Sequence, residues 1–330
     1  MGTRRTTVAV TAGSSHQYYG FYLSGIERVL GRVRFVPSAS VAPAPAQSTS
    51  GLGFVVHGRR IWIGAGDNNL IEHEPLAWAD VYGVVNATAE QVATSPKLVP
   101  IGPSFGIRWR SLPHTIAYVT RAAAAERSGP RALAARLVSS TGYHRSRRPL
   151  EAYDRPASSE SGVAFYAGTM WDHHRWSPSA RVHFIEAART SSVAFEGGVV
   201  PDGNLADQID PQLLAPRRYT LDEYLDRVRR SAVAFNSPAV WGCLGWKLGE
   251  SLALGKAILT TAIGRELPAP LRHGIEVHVV ADDPDAMRDA LELIAGDDDY
   301  RSHLEAGARA YWERWLRPER VIERLLEAAR

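Results

Sequence analysis

The sequence predicts an α/β protein of two Rossmann-like βαβ domains facing across a cleft. Short β-branched and apolar runs alternate with amphipathic helical stretches, the pattern of parallel sheets built from βαβ units. The alternation occurs twice. Between the two series lies Arg145–Ser161, rich in Arg, Pro and Ser without periodicity, which reads as an interdomain linker. The expected boundaries are 1–158 for the first domain, 159–310 for the second, and 311–330 for a helical segment that returns to the first. At 330 residues the chain is long enough for two cores.

In the first half, Thr7–Ala12 reads as a strand that turns at Gly13-Ser14-Ser15. Tyr22, Ile26 and Val29-Leu30 follow at helical spacing, and Val33–Val36 is the next strand. Residues 37–50, rich in Pro, Ala and Ser, predict a mobile surface loop. Phe54–Val56, Arg60–Ile63, Asp80–Val85 and Leu98–Ile101 are further strands, and residues 116–139 are helical with a break at Ser128-Gly129-Pro130.

In the second half, Val163–Tyr166 is a strand turning at Gly168, followed by a helix over Ser179–Arg189. Val193–Phe195 is a strand ending at Glu196-Gly197-Gly198. Thr220 and Glu223 fit a capping box, with Leu221, Tyr224, Leu225 and Val228 forming the apolar stripe behind it. Ala232–Phe235 leads into a loop bearing Gly242 and Gly245, a short helix over Trp246–Leu254, Gly255, and the buried strand Ala257–Leu259. Val277–Val280 is a strand, and Asp283-Pro284 opens a helix carrying Met287, Ala290, Leu291 and Ile294 on one face. Tyr311–Arg330 is helical with an interruption at Pro318.

Composition bounds the function classes. The 45% hydrophobic and 22% charged content is that of a soluble globular protein. No apolar run reaches membrane-spanning length, and the N-terminal apolar run is too short for a signal segment. Cys243 is the only cysteine, which excludes an intramolecular disulfide and suits a cytoplasmic location. The net charge of +3 gives no expectation of nucleic-acid binding. The clusters Arg145–Arg148 and Arg227–Arg230 can meet anionic lipid headgroups or solvent, so peripheral membrane contact stays open, as does a homodimer.

Ligands of open α/β sheets bind at the carboxyl ends of strands. The glycine-bearing loop entering the helix at Trp246 is either an ordinary turn or an anion site, because a helix N-terminus presents free N–H groups at the positive end of its dipole. Lys247 lies in the first turn, where a cation opposes that dipole, and Glu250 about one turn on. Asp172-His173-His174 has no partner ligands at recognisable spacing, so no metal is expected. Asp297-Asp298-Asp299 reads as a solvated turn between two helices. No G-x-G-x-x-G follows the first strand, and neither a P-loop nor G-x-S-x-G is present.

The run RRYTLDEYLDRVRRSAVAFNSPAVWGCLGWKLGESLALGKAILTT resembles the nucleotide-sugar-binding half of GT-B fold glycosyltransferases, above all the bacterial group-1, family 4-like set. The resemblance covers roughly residues 160–315, with Glu250 and Gly255 at the family's E-x-x-x-x-G positions. It implies a metal-independent glycosyltransferase with no cofactor, using a nucleoside-diphosphate sugar as co-substrate and a small-molecule or lipid-linked acceptor hydroxyl or amine. Glu250 then bonds the donor ribose through two carboxylate oxygens, and Gly242, Gly245, Trp246 and Lys247 serve the diphosphate. Glu196 and Gly197 lie near diphosphate or base, and Arg218 and Tyr219 take the base-binding position.

Two departures from the pattern matter. Gly242 stands where many retaining members carry a glutamate, and Gly168-Thr169-Met170 stands for the family's Gly-Arg-Leu. Arg175 together with Lys247 is the expected replacement for that missing cation. On the acceptor side His16 follows the first strand, where some inverting members place a catalytic histidine, and Asp67 is the competing base or the group that orients it. A non-catalytic binding module of the same fold and a sugar-nucleotide epimerase are the alternatives.

Overall fold

The computed structural model describes residues 6–38, 41, 51–156, 158–170, 178–201 and 209–330. Pro37 and Ser38 of the expected surface loop belong to a strand, and most of the remaining loop lies outside the described residues, as do Trp171, Asp172, His173, His174 and Arg175. The chain forms two compact units. The first comprises Met1–Ala152, Glu266–Pro268 and Trp315–Arg330, and the second Tyr153–Arg265 and Ala269–Arg314.

The first unit contains, in chain order, β1 (Thr6–Thr11), α1 (His16–Leu30), β2 (Val33–Ser38), β3 (Gly51–Val56), β4 (Arg59–Gly64) and α2 (His73–Trp78). It continues with β5 (Val81–Val84), α3 (Ala89–Ala93), β6 (Leu98–Pro100), α4 (Leu112–Ala125) and α5 (Pro130–Ser146). The strands form one sheet in the order β2-β1-β3-β4-β5-β6. This sheet is mixed, not wholly parallel as expected, because β3 runs antiparallel to both β1 and β4. Only His57 and Gly58 separate β3 from β4, and so short a connection joins antiparallel neighbours alone. Their φ values of 50° and 77° are those of a hairpin turn whose twist matches the strands.

The expected linker is also partly structured. Arg145 and Ser146 complete α5, and Leu150–Tyr153 forms a 3₁₀ turn. Arginine propagates a helix well, so a Pro/Ser-rich composition marks its end later than it suggests.

The second unit contains β7 (Val163–Met170), α6 (Pro178–Thr190), β8 (Ala194–Pro201), α7 (Leu221–Arg230), β9 (Ala234–Asn236) and α8 (Trp246–Leu254). After these come β10 (Ile258–Thr260), β11 (His278–Val279), α9 (Pro284–Gly296) and α10 (Asp298–Tyr311). β7 and β8 pair in parallel, as do β9, β10 and β11. The two ladders adjoin: the Ala232 N–H donates to Val163 O at 2.7 Å, and the rings of Tyr166 and Phe235 meet edge-on at 5.6 Å. The two ladders thus lie side by side, β8-β7 beside β9-β10-β11, in the strand sequence of a doubly wound sheet, with no ladder between β7 and β9 among the described residues.

Both β7 and β8 are longer than their apolar runs. Gly168 and Thr169 lie within β7, and Glu196-Gly197-Gly198 lies mid-strand in β8, paired with Phe165, Tyr166 and Ala167, not at a turn. The ladder between the strands overrides the local turn signal of the glycines. Behind the sheet, Phe184 of α6 stacks on Phe235 at 4.1 Å. Asp297 caps α10 by accepting from the Tyr300 N–H at 2.9 Å. After a π-type turn at Trp312–Leu316, α11 (Pro318–Ala328) packs on α1 within the first unit. No helix among the described residues is long and apolar enough to cross a membrane.

Candidate nucleotide-sugar site

In a doubly wound sheet, the crevice at the carboxyl ends of the strands opens where strand order reverses. In the second unit that point lies between β7 and β9. Thr169 stands near the end of β7, and Asn236 and Ser237 at the end of β9. Arg181, from the first turn of α6, joins the two: its guanidinium donates to Thr169 O and, at 3.3 Å, to Ser237 Oγ. Beside it the Asn236 amide donates to Thr260 Oγ1 at 2.9 Å, fixing the ends of β9 and β10.

Lys247 sits next to this arginine. The absence of a side chain at Gly168 lets Tyr166 lie along β7, since a Cβ there would stand 2.1 Å from the Tyr166 hydroxyl. The Tyr166 ring then forms one wall around the Lys247 ammonium, at 5.9 Å, and Tyr224 of α7 the other, at 4.6 Å. Lys247 Nζ donates to the Tyr224 hydroxyl at 3.2 Å. The chain has three lysines. Lys97 and Lys256 donate to main-chain carbonyls, whereas among the described residues Lys247 donates only to this phenol. Burial, reinforced by Arg181, pulls the Lys247 pKa down to about 8, against the opposing pull of Glu250. Glu250, one turn along α8, is 7% exposed, and its carboxylate lies 3.5 Å from the Tyr224 hydroxyl.

The loop entering α8 is held open by a residue from beyond β10. Val240–Gly242 forms a 3₁₀ turn in which Trp241 and Gly242 have φ of 57° and 71°. Arg265 Nε donates to Gly242 O at 3.1 Å, and the same guanidinium donates to Trp241 O. Gly245 is the N-cap of α8. No side chain among the described residues caps the helix start, and half-buried Trp246 and Lys247 stand in its first turn. Two cations, Arg181 and Lys247, thus stand in helix first turns, where each is electrostatically misplaced until an anion joins it.

The expected base-binding residues flank this centre. The Tyr219 ring lies against Phe165 at 5.1 Å and between the guanidinium groups of Arg217 and Arg227, at 4.9 and 5.1 Å. Arg227 in turn holds Glu196 at 2.7 Å, which places Glu196 in an ion pair. Arg218 is exposed.

In the first unit the two candidate bases are not joined. His16 opens α1 but is only 5% exposed, edge-on to Tyr143 of α5 at 6.0 Å, and its Nε2 has no partner among the described residues. Burial, with His144 nearby, lowers its pKa to about 4, so it is neutral at physiological pH. Asp67 is solvent-exposed. Surrounding protein raises its pKa, yet exposure governs and it remains a solvated carboxylate. No hydrogen bond among the described residues links it to His16, so an orienting role has no contact behind it. No group of three metal-ligating side chains exists among the described residues.

Arg181, Tyr224 and Arg265 have no place in the sequence reading of the site. Only Arg181 leaves a signal there, a cation at the third residue of a predicted helix.

No protein-family model matches the chain, and no curated protein matches it. Solved structures similar to it include the C-terminal domain of a group 1 family glycosyl transferase (LpcC) from Francisella tularensis, 13% identical. That match covers 50% of this chain and 89% of the domain at a TM-score of 0.34. A glycosyltransferase from Rickettsia africae is 12% identical, covering 76% of this chain and 62% of that one at 0.44. HepE of Anabaena in complex with UDP-glucose is 14% identical, covering 76% and 63% at 0.45. The chain thus spans under two thirds of the latter two. The fold and the site described above rest on the chain's own topology and side chains.

Proposed function

We propose that the chain is a glycosyltransferase that moves a sugar from a nucleoside-diphosphate sugar to an acceptor hydroxyl or amine without a metal ion. One observation carries this reading: Arg181, Lys247 and the uncapped start of α8 converge at the strand-order reversal of the second unit, with Glu250 one turn beyond. A diphosphate leaving group gains negative charge as the glycosidic bond breaks, and fixed cations with oriented N–H groups stabilise that charge. Two protein cations and a helix dipole can do this without a metal. Glu250 accepts from the ribose hydroxyls, and Tyr219 borders the base. In the first unit Asp67 is the accessible candidate for the base that deprotonates the acceptor.

The burial of His16 favours a second reading, in which the second unit binds nucleotide and no transfer follows. Thermal unfolding against a panel of nucleoside diphosphates tests the first step, since a ligand of the native state raises the transition by mass action. A rise is expected and should shrink in Glu250→Ala; no rise with any of them sinks the proposal. Binding without donor hydrolysis or transfer supports the second reading.

A further inference from the structure

The first unit holds a second feature that the proposed reaction does not use. On the flank of α1, two to three turns beyond His16, an open cavity of about 550 Å³ lies between Ser24 and Glu27 of α1, the segment 107–112, His144 of α5 and Leu150. That volume falls within the range of roughly 300–1,000 Å³ of small-molecule sites.

Its wall is built around a fixed pair. Glu27 accepts from Trp109 Nε1 and Arg110 Nε, both at 2.7 Å, and the Arg110 guanidinium lies over the Trp109 and Phe35 rings. Arg110 keeps a left-handed backbone, φ 53°, which a residue with a Cβ seldom adopts. Its carbonyl is engaged by His144 Nε2 at 3.2 Å. The charge of Glu27 is thereby used within the wall, and that of Glu151 is paired with Arg28.

Arg108 stands apart. It is half-buried and lines the cavity, and its guanidinium has no partner among the described residues. Its main chain is anchored independently, the N–H donating to Arg148 O at 2.8 Å. The neighbouring run 144–148, His-Arg-Ser-Arg-Arg, carries no acid. A half-buried, unpaired guanidinium is costly in isolation and is the group that recognises an oxyanion by paired N–H donors.

From the cavity, Arg108 and the excess of cations around it, we infer that this pocket binds a phosphomonoester, with Arg108 as its principal contact. Soluble metabolites and lipid headgroups both carry that group.

The test is calorimetric titration of the full chain with inorganic phosphate, in an Arg181→Ala/Lys247→Ala background that removes both cations of the second unit's site. Saturable binding is expected. Arg108→Gln should weaken it at least about tenfold, as loss of a charge-assisted pair predicts, while Arg108→Lys, which keeps the charge without the paired donors, loses less. Because the Arg108 main chain carries the structural bond, both variants should unfold at the parent temperature. Absence of saturable binding, or Arg108→Gln titrating like its parent, overturns the inference. Pelleting with 1:1 phosphatidic acid–phosphatidylcholine vesicles, reduced by both Arg108→Gln and free phosphate, assigns a lipid source. Phosphate binding without pelleting assigns a soluble one.

Discussion

The two units use the carboxyl ends of their strands differently. In the second, Lys247, Tyr224 and Glu250 form a connected chain of polar contacts, and Arg181, held on Ser237, acts on the same lysine through its charge. In the first, His16 is enclosed beneath α5 and Asp67 faces solvent, and no contact joins them. A site that must bind a strongly charged group before any reaction needs its charges fixed in advance, because preorganised dipoles incur no reorganisation cost when the anion arrives. A proton acceptor needs only reach and a suitable pKa. The difference explains why the second unit is recognisable from side chains alone and the first is not.

The largest test of this contrast removes the preorganised charge. Arg181→Ala combined with Lys247→Ala should weaken nucleoside-diphosphate binding by about a hundred- to ten-thousand-fold, since each charged hydrogen bond contributes roughly 1.5–3 kcal/mol. Calorimetry on both single variants and the double reads the effect. Singles that each lose as much as the double would show that the two cations act as one unit. No loss in either single would remove the anion site from this end of the sheet.

Enclosure of His16 makes the opposite prediction, on stability and not on binding. Its folded pKa of about 4 lies below the unfolded value of 6.5, so the unfolded chain takes up the proton first as pH falls. The stability that His16 provides is complete above about pH 6.5, is lost progressively down to about pH 4, and then levels off. At 1.36 kcal/mol per unit the loss is about 3 kcal/mol. Urea unfolding of wild type and His16→Gln at pH 7 and pH 4.5 should show the smaller decline in the variant. Equal declines would mean that His16 is solvated.

Much of the fold was legible because period and capping signals are local. The Thr220–Glu223 box and the stripe ending at Val228 mark α7, and Asp283-Pro284 marks α9. What escaped depends on long-range pairing. The reversal at β3 follows from its hairpin, and the mid-strand place of Glu196 from its partner β7. The capping box at Thr88 and Gln91 was readable, yet the five-residue α3 behind it has too short a stripe to register. In the site, Lys247 and Glu250 could be found because one helix carries both at fixed spacing. Arg181 and Tyr224 come from other elements, and only the strand order brings them to the same lysine.

That shared lysine gives the smallest and most specific prediction. The Lys247 pKa lies at about 8, held down first by burial. A bound diphosphate adds opposite charge and raises that pKa, so binding takes up a proton at pH values above 8. Affinity should therefore be level below about pH 7.5 and fall as pH rises through 8, by about tenfold between pH 7 and pH 9. Lys247→Arg, whose side chain stays protonated throughout, should abolish the slope while keeping most of the affinity. Tyr224→Phe should shift the fall without removing it, because the phenol is the one hydrogen-bond acceptor of the ammonium among the described residues. A flat profile in the wild type would mean that the lysine is solvated, and Arg181 with the start of α8 would then be left as the diphosphate site.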